Sequence, residues 1–169
     1  EVSQELTRKA FDTWSEMGVA EKWGEQKALR EVIEFLTVQN GRGGRHHNGG
    51  YFEYTDGNKT LWPGVMEKFY NSDFTIADQD IKDRLLFRQV IESLKCLETN
   101  VLRSVTDGNI GSIMGIGAPV WTGGFIQFVN TYGLEKFQTR CGELAASYGE
   151  RFTCPAIVAE KIASGETFQ

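Results

Sequence analysis

The sequence predicts an all-α fold with one short extended or hairpin element near residues 50–60. Three observations lead there. Apolar residues return every three or four positions in segment after segment, the spacing that keeps one face of a helix apolar. Glycines close those segments at Gly18, Gly117, Gly133 and Gly165, and Pro119 reinforces the second of these stops. A chain leaving a helix often needs positive φ, and proline cannot continue one. Only Gly50-Tyr-Phe-Glu-Tyr54 alternates with period two, and Asp56-Gly57 behind it is a tight-turn pair.

Taken in order, Val2, Leu6, Ala10, Trp14 and Met17 form one apolar stripe of a first helix. A second helix spans about 27 to 39, with Leu29, Val32, Ile33 and Leu36 facing inward. Residues 40–50 hold five glycines and form a loop. Arg42, Arg45, His46 and His47 make it the one locally basic site. Two readings stand there, a phosphate cradle and a solvated turn. No strand precedes the loop and no helix opens directly from it, which favours the turn. The two adjacent histidines have no third ligand nearby in sequence, so no metal site is expected.

Beyond the predicted hairpin, Leu61-Trp62-Pro63-Gly64 starts a short helix with Pro63 in its first turn and Val65, Met66 and Phe69 on its apolar face. Residues 71–77 are the expected joint between two halves. The longest helix runs from Asp78 to about Val101, capped by Asp78 or Asp80. Leu86, Val90, Leu94, Leu97 and Val101 are its main stripe. Ile81, Leu85, Phe87 and Ile91 widen that stripe, which predicts burial on more than one side. Lys82, Asp83, Arg84 and Arg88 read as a solvated or interfacial edge. Thr106 or Asp107 caps the next helix. Three more follow, marked by Phe125, Phe128, Val129 and Tyr132, by Phe137, Cys141, Leu144 and Tyr148, and by Ile157, Val158 and Ile162 after Pro155.

The chain has 169 residues, 40% apolar and 24% charged, the balance of a globular protein with room for one domain or two small ones. No apolar run approaches the ~20 residues of a membrane-spanning helix. Residues 1–60 hold 8 basic and 10 acidic side chains and residues 61–169 hold 10 and 13, so the net charge of −5 is spread evenly. Nucleic acid and anionic membranes select clustered positive charge, so neither is an expected partner. Cys96, Cys141 and Cys154 fit no zinc or CxxC spacing and imply a reducing, cytoplasmic setting. The chain opens on Glu1-Val2-Ser3 and runs straight into a helical pattern, as expected of a segment of a larger protein.

The stretch Gly111-Ser-Ile-Met-Gly-Ile-Gly-Ala-Pro-Val-Trp-Thr-Gly-Gly124 organises the rest. Gly111 and Gly115 lie four apart and share one helix face, open to a backbone or a flat ligand. Each costs about 1 kcal/mol against alanine inside a helix, so close approach is expected to compensate. Residues 109–124 resemble the 3-hydroxyacyl-CoA dehydrogenase C-terminal domain family, the C-terminal helical part of the multifunctional fatty-acid β-oxidation enzyme's alpha subunit. Asp80-Ile-Lys-Asp-Arg-Leu-Leu-Phe87, Cys96-Leu-Glu98, Tyr148-Gly-Glu-Arg-Phe152 and Pro155 continue the resemblance in the family's order. Gly50-Tyr-Phe-Glu-Tyr54 is similar to the element that closes its helical domain.

The resemblance implies a 3-hydroxyacyl-CoA dehydrogenase C-terminal-like fold, of the 6-phosphogluconate dehydrogenase C-terminal-like type. It implies two tandem helical repeats, with residues 1–70 the tail of the first and 78–169 the second. A gapped likeness between Val2–Phe11 and Val129–Phe137 accords with a repeat. NAD would serve the parent enzyme on a Rossmann domain upstream in the same chain. An acyl-CoA would be the substrate, with a thiolase subunit and a homo-oligomer as partners. No strand–GxGxxG–helix unit occurs here, and no residue matches the family's catalytic His–Glu pair. No catalytic, cofactor-binding or metal-binding residue is therefore assigned, and the chain alone is expected to be inactive. Met114 stands where some relatives contact acyl-CoA through a tyrosine. Met114, Gly115, Gly117 and Trp121 are the expected substrate-lining residues, with core packing as the alternative role. Two other readings stand beside this one. One is a free-standing helical binding or assembly module without catalysis. The other is a helical domain of a different nicotinamide enzyme.

Overall fold

The computed structural model describes residues 3–19 and 26–169, so Val2 of the predicted first stripe lies outside the described residues. The chain divides into two compact units, Glu1–Phe74 and Thr75–Gln169. Among the described residues the architecture is eight α-helices and one two-stranded sheet, the all-α fold with a hairpin that the sequence predicts.

In the first unit α1 (Gln4–Glu16) starts at Ser3, whose hydroxyl accepts from the Leu6 amide at 3.3 Å and donates to the Gly43 carbonyl at 3.1 Å. It ends where Gly18 takes φ +66°. α2 (Lys27–Glu34) continues through Phe35–Gln39 with wider i→i+5 hydrogen bonding. Ile33 and Leu36 are buried as predicted, but Leu29 is exposed. The buried side of α1 is Gln4 and Phe11, not the predicted stripe, and Leu6 is 62% exposed. The amides of Gln4 and Glu5 both donate to the Gly43 carbonyl, and α1 packs against α2. Apolar spacing fixes which residues share a face, not which face finds a neighbour within the unit.

β1 (Phe52–Thr55) pairs antiparallel with β2 (Asn58–Leu61), Phe52 opposite Leu61 and Thr55 opposite Asn58. Asp56 at φ +51° and Gly57 at φ +78° make the two-residue turn that matches strand twist. α3 (Pro63–Phe69) opens on its proline. Phe35 lies between Trp62 and Phe69, with ring centroids 5.8 and 5.3 Å away.

In the second unit α4 (Asp78–Glu98) is the central helix. α6 (Phe125–Tyr132), α7 (Leu134–Tyr148) and α8 (Ala156–Ser164) pack against it, and α5 (Val105–Ile116) packs mainly on α6. Phe87 anchors the core, stacked on Phe137 at 4.7 Å and edge-on to Tyr132 at 5.3 Å. Val90, Ile91 and Leu94 extend the same buried side. Of the residues predicted to widen the stripe of α4, Phe87 and Ile91 are buried and Ile81 and Leu85 are not. Ile81 and Leu85 face away from the Phe87 side that α6, α7 and α8 approach, and Val101 of the predicted main stripe is exposed beyond the end of α4.

Two caps differ from expectation. α4 begins at Ala77 without a side-chain cap: Asp78 and Asp80 lie inside its first turn, and Asp80 is bonded to Arg140 and Tyr148. α5 is capped by Ser104, whose hydroxyl accepts from the Asp107 amide at 3.0 Å, and not by Thr106 or Asp107. The C-terminal tail is pinned by Asn130, which donates to the Phe168 carbonyl at 2.8 Å and accepts from its amide at 3.0 Å.

Candidate functional site

The glycine stretch joins α5 to α6, and its inner side is built by capping. A helix start leaves its first amides without partners. At α6 three side chains from the preceding stretch take four of them. Thr122 Oγ1 accepts from Gly124 at 3.1 Å, and Ser112 Oγ from Phe125 at 3.1 Å. Asn109 Oδ1 accepts from both Ile126 at 3.1 Å and Gln127 at 2.9 Å. The two hydroxyls donate in turn to the Pro119 and Asn109 carbonyls. The close-packing glycines are Gly108, where a Cβ would overlap Ile126, and Gly124, where it would meet Asn109 Cα at 2.5 Å.

The outer side is bare. A Cβ added at Gly111, Gly115 or Gly117 would meet nothing within 4 Å, so the close approach expected at Gly111 and Gly115 does not occur within this unit. Gly117 ends α5 at φ +71°, as its position predicts. Met114 is 82% and Trp121 72% exposed, and Ile110, Ile116 and Val120 share that exposure. The four expected lining residues, Met114, Gly115, Gly117 and Trp121, therefore lie on an open apolar surface. Trp121 meets Phe128 edge-on at 6.1 Å. A groove of about 530 Å³ runs between α4 and α5, lined by Gln89, Glu92, Ser93, Cys96, Gly108 and Gly111 among others, and by none of those four.

An ion-pair network ties α4 to α7. Arg140 donates to Asp83 at 2.8 Å, to Asp80 at 2.5 Å and to Glu143 at 2.8 Å. Tyr148 donates to the other oxygen of Asp80 at 2.5 Å, and Arg84 lies 4.4 Å over the Tyr148 ring. The Tyr148 and Arg140 hydrogen bonds hold the Asp80 carboxyl below its usual range. The Asp80 hydrogen bond raises Tyr148. Asp83, read from sequence as part of a solvated edge, is buried. This network is structural: all three carboxylates accept from Arg140 and are committed to it.

In the first unit the basic loop is folded around Arg42. Its Nε donates to the Gly50 carbonyl at 2.9 Å and its Nη2 to the Phe52 carbonyl at 3.1 Å, with the guanidinium 4.4 Å over the Trp62 ring. Glu53 stands 3.6 Å from its Nη1. Arg42 is a buried staple, so a phosphate cradle there would lack its central cation. His46 and His47 are exposed. No group of three or more His, Cys, Asp or Glu side chains arranged for a metal occurs among the described residues.

No family model matches the chain. Curated relatives do. The fatty acid oxidation complex subunit alpha of Vibrio parahaemolyticus is 29% identical over 147 residues, 86% of this chain and 21% of the relative. The same subunit of Vibrio vulnificus is 30% identical over 123 residues, 72% of this chain and 17% of the relative. Over most of its length the chain is homologous to the fatty acid oxidation complex alpha subunit. The alpha subunit of Idiomarina loihiensis is 29% identical over 151 residues, again 86% of this chain and 21% of the relative. The chain thus spans about a fifth of the length of the curated alpha subunits it matches. The resemblance carried by residues 109–124 is borne out at that level. Among the described residues no helix is long and apolar enough to cross a membrane.

Proposed function

We propose that this chain is the C-terminal helical part of an NAD-dependent 3-hydroxyacyl-CoA dehydrogenase of fatty-acid β-oxidation in the cytoplasm. It supplies cleft wall and a pseudo-dimer interface rather than catalytic groups. Residues 1–70 are the tail of a first helical repeat and residues 78–169 the second. The dehydrogenase's NAD and catalytic groups lie on a Rossmann domain upstream, with acyl-CoA as substrate, a thiolase subunit as partner and a homo-oligomer as the assembled form.

One observation carries the reading beyond the alpha-subunit homology. The most glycine-rich helix end in the chain presents Ile110, Met114, Ile116, Val120 and Trp121 outward on one unit. Exposed apolar side chains clustered in this way mark a surface that is covered when the protein works. Met114, Gly115, Gly117 and Trp121 are the residues proposed to line the covered cleft.

The test is calorimetry with the Vibrio vulnificus alpha subunit, deleted for the region that matches this chain, as titrant. Binding that weakens about tenfold or more in Trp121→Ala and Met114→Ala supports the proposal, a loss of about 1.4 kcal/mol per factor of ten. The chain alone is expected to give no NAD reduction with a 3-hydroxyacyl-CoA. Absence of binding, with turnover by the isolated chain that disappears in His46→Ala or His47→Ala, would overturn it.

A further inference from the structure

We infer that Asn48-Gly49 in the basic loop is a self-modifying site, at which Asn48 loses ammonia and becomes aspartate or isoaspartate. The chain holds two Asn-Gly pairs, Asn40-Gly41 and Asn48-Gly49. A glycine after asparagine leaves its amide free to approach the side-chain carbonyl, because no Cβ stands in the way. The structure separates the two pairs. Asn40 is tied down, its Nδ2 donating to the Phe35 carbonyl at 2.8 Å. Asn48 is exposed at φ +58°, and among the described residues its side chain meets no hydrogen-bond partner. Gly49 is held through its carbonyl, which accepts from the Gly44 amide at 2.8 Å, while its own amide finds no acceptor among the described residues. Arg42 adds a second distinction. Its Nη2 lies so close to Gly49 that an added Cβ would stand 2.5 Å from it. Arg42 is buried, so little water screens its charge. A fixed cation there stabilises the negative charge that develops as the Gly49 amide gives up its proton.

The steps balance with water as the co-reactant. The Gly49 amide gives its proton to solvent base, and its nitrogen bonds to the Asn48 side-chain carbonyl carbon. The side-chain nitrogen takes up a proton and leaves as ammonia, closing a five-membered imide. Water then adds to one of the two imide carbonyls and breaks its C–N bond. Opening at the side-chain carbonyl gives aspartate on the original backbone. Opening at the main-chain carbonyl gives isoaspartate, with one extra methylene in the backbone. The net change is one water in and one ammonia out, with no change of oxidation state. The new carboxylate enters a pocket of about 290 Å³ lined by Arg42, Arg45, Gly49, Glu53 and Tyr54 with Asn48 itself. Arg45 makes no ion pair among the described residues, its guanidinium lying 5.2 Å over the Tyr54 ring, so aspartate at this position gains a cation to face. Isoaspartate instead lengthens the chain just before Gly49 and Gly50, whose carbonyls bind Gly44 and Arg42.

The experiment incubates the 169-residue chain in warm, mildly alkaline buffer, folded and in urea, and follows both pairs by mass spectrometry of tryptic peptides. Cleavage at Arg42 and Arg45 puts the two asparagines on separate peptides. In the folded chain the Asn48 peptide should gain the single mass unit that marks exchange of NH₂ for OH, several-fold faster than the Asn40 peptide. Fragment spectra should place the gain at residue 48, in separable aspartate and isoaspartate forms. In urea, where the Phe35 tie and the Arg42 contact are gone, that lead should vanish. Asn48→Gln, an exposed substitution, should abolish the gain, because ring closure then needs a six-membered imide. An Asn48 peptide that keeps its mass would overturn the inference. So would an Asn40 peptide that reacts as fast in the folded chain, or a lead for Asn48 that persists in full in urea.

Discussion

Asn109→Ala removes one side-chain oxygen that serves two helix-start amides. Asn109 Oδ1 accepts from Ile126 at 3.1 Å and Gln127 at 2.9 Å. Ile126 is fully buried and Gln127 half-buried, so water recovers the second amide better than the first. A buried donor left without an acceptor costs about 1–3 kcal/mol, and loss of a capping side chain typically costs about 1 kcal/mol. Alanine returns roughly half a kcal/mol within α5, where it is the better helix former. The expected net loss is therefore about 1.5–3.5 kcal/mol. Asn109→Asp keeps the acceptor and sets a negative charge at the α6 N-terminus, where the helix dipole favours it. Its expected loss is below about 1 kcal/mol on the same grounds. Urea unfolding followed by far-ultraviolet circular dichroism reads both as midpoint shifts at constant slope. An alanine variant within about 0.5 kcal/mol of the parent would refute the reasoning. So would an aspartate variant as damaged as the alanine one.

Gly124→Ala should be at least as costly, about 2–5 kcal/mol. Its φ of +107° strains any side chain and its Cβ would sit 2.5 Å from Asn109 Cα; thermal unfolding reads this. Arg140→Met should cost about 2–4 kcal/mol, because it strands buried Asp83 with only Gln79 as a partner. Asp83→Leu in the same chain should recover part of that loss, measured as a double-mutant cycle. The Asp80 carboxyl is depressed, so its contribution to stability is present above its ordinary value of 3.8 and is lost as pH falls through the lower folded-state value. Tyr148 is raised, so its contribution is present below its ordinary value of 10.0 and is lost as pH rises through the higher folded-state value. Tyr148→Phe should reduce the alkaline loss, leaving the part due to Tyr132, which burial also raises, and should weaken the acid one, read as unfolding midpoints across pH.

How much was legible in the sequence follows from what each signal encodes. Helix ends were legible because glycine and proline act locally: Gly18, Gly117, Gly133 and Gly165 all take positive φ where helices stop. The hairpin was legible because Asp56-Gly57 specifies its own turn. Burial was only half legible. Ile33, Leu36, Val90 and Leu94 lie inside as predicted, but Leu6, Leu85 and Val101, which share their spacing, are exposed. Caps made across elements were not legible at all. Asn109, Ser112 and Thr122 are ordinary polar residues in sequence, and their role appears only when α5 folds back on α6. The same holds for Asp83 and Arg140, which sit 57 positions apart, and for Arg42, whose partners are backbone carbonyls.

The candidate site gains its meaning from where the glycines stand idle. A helix N-terminus with free amides would draw an anion, but at α6 Thr122, Ser112 and Asn109 already occupy those amides. Gly108 and Gly124 justify their conformational cost internally, by admitting Ile126 and Asn109. Gly111 and Gly115 do not: they sit within an exposed helix, each about 1 kcal/mol worse than alanine there, with nothing of this unit near them. On the proposed reading, the compensation comes from contacts outside the unit. The neighbouring side chains indicate what kind of contact that is. Met114, Trp121 and Ile110 would lower the solubility of a surface meant for water, but they suit one that is covered by another apolar face. Flat glycine backbone beside protruding methionine and tryptophan would supply the recess and the ridge of the proposed interface. For that reason Met114 and Trp121, rather than the histidines of the basic loop, are where loss of function is expected to appear first.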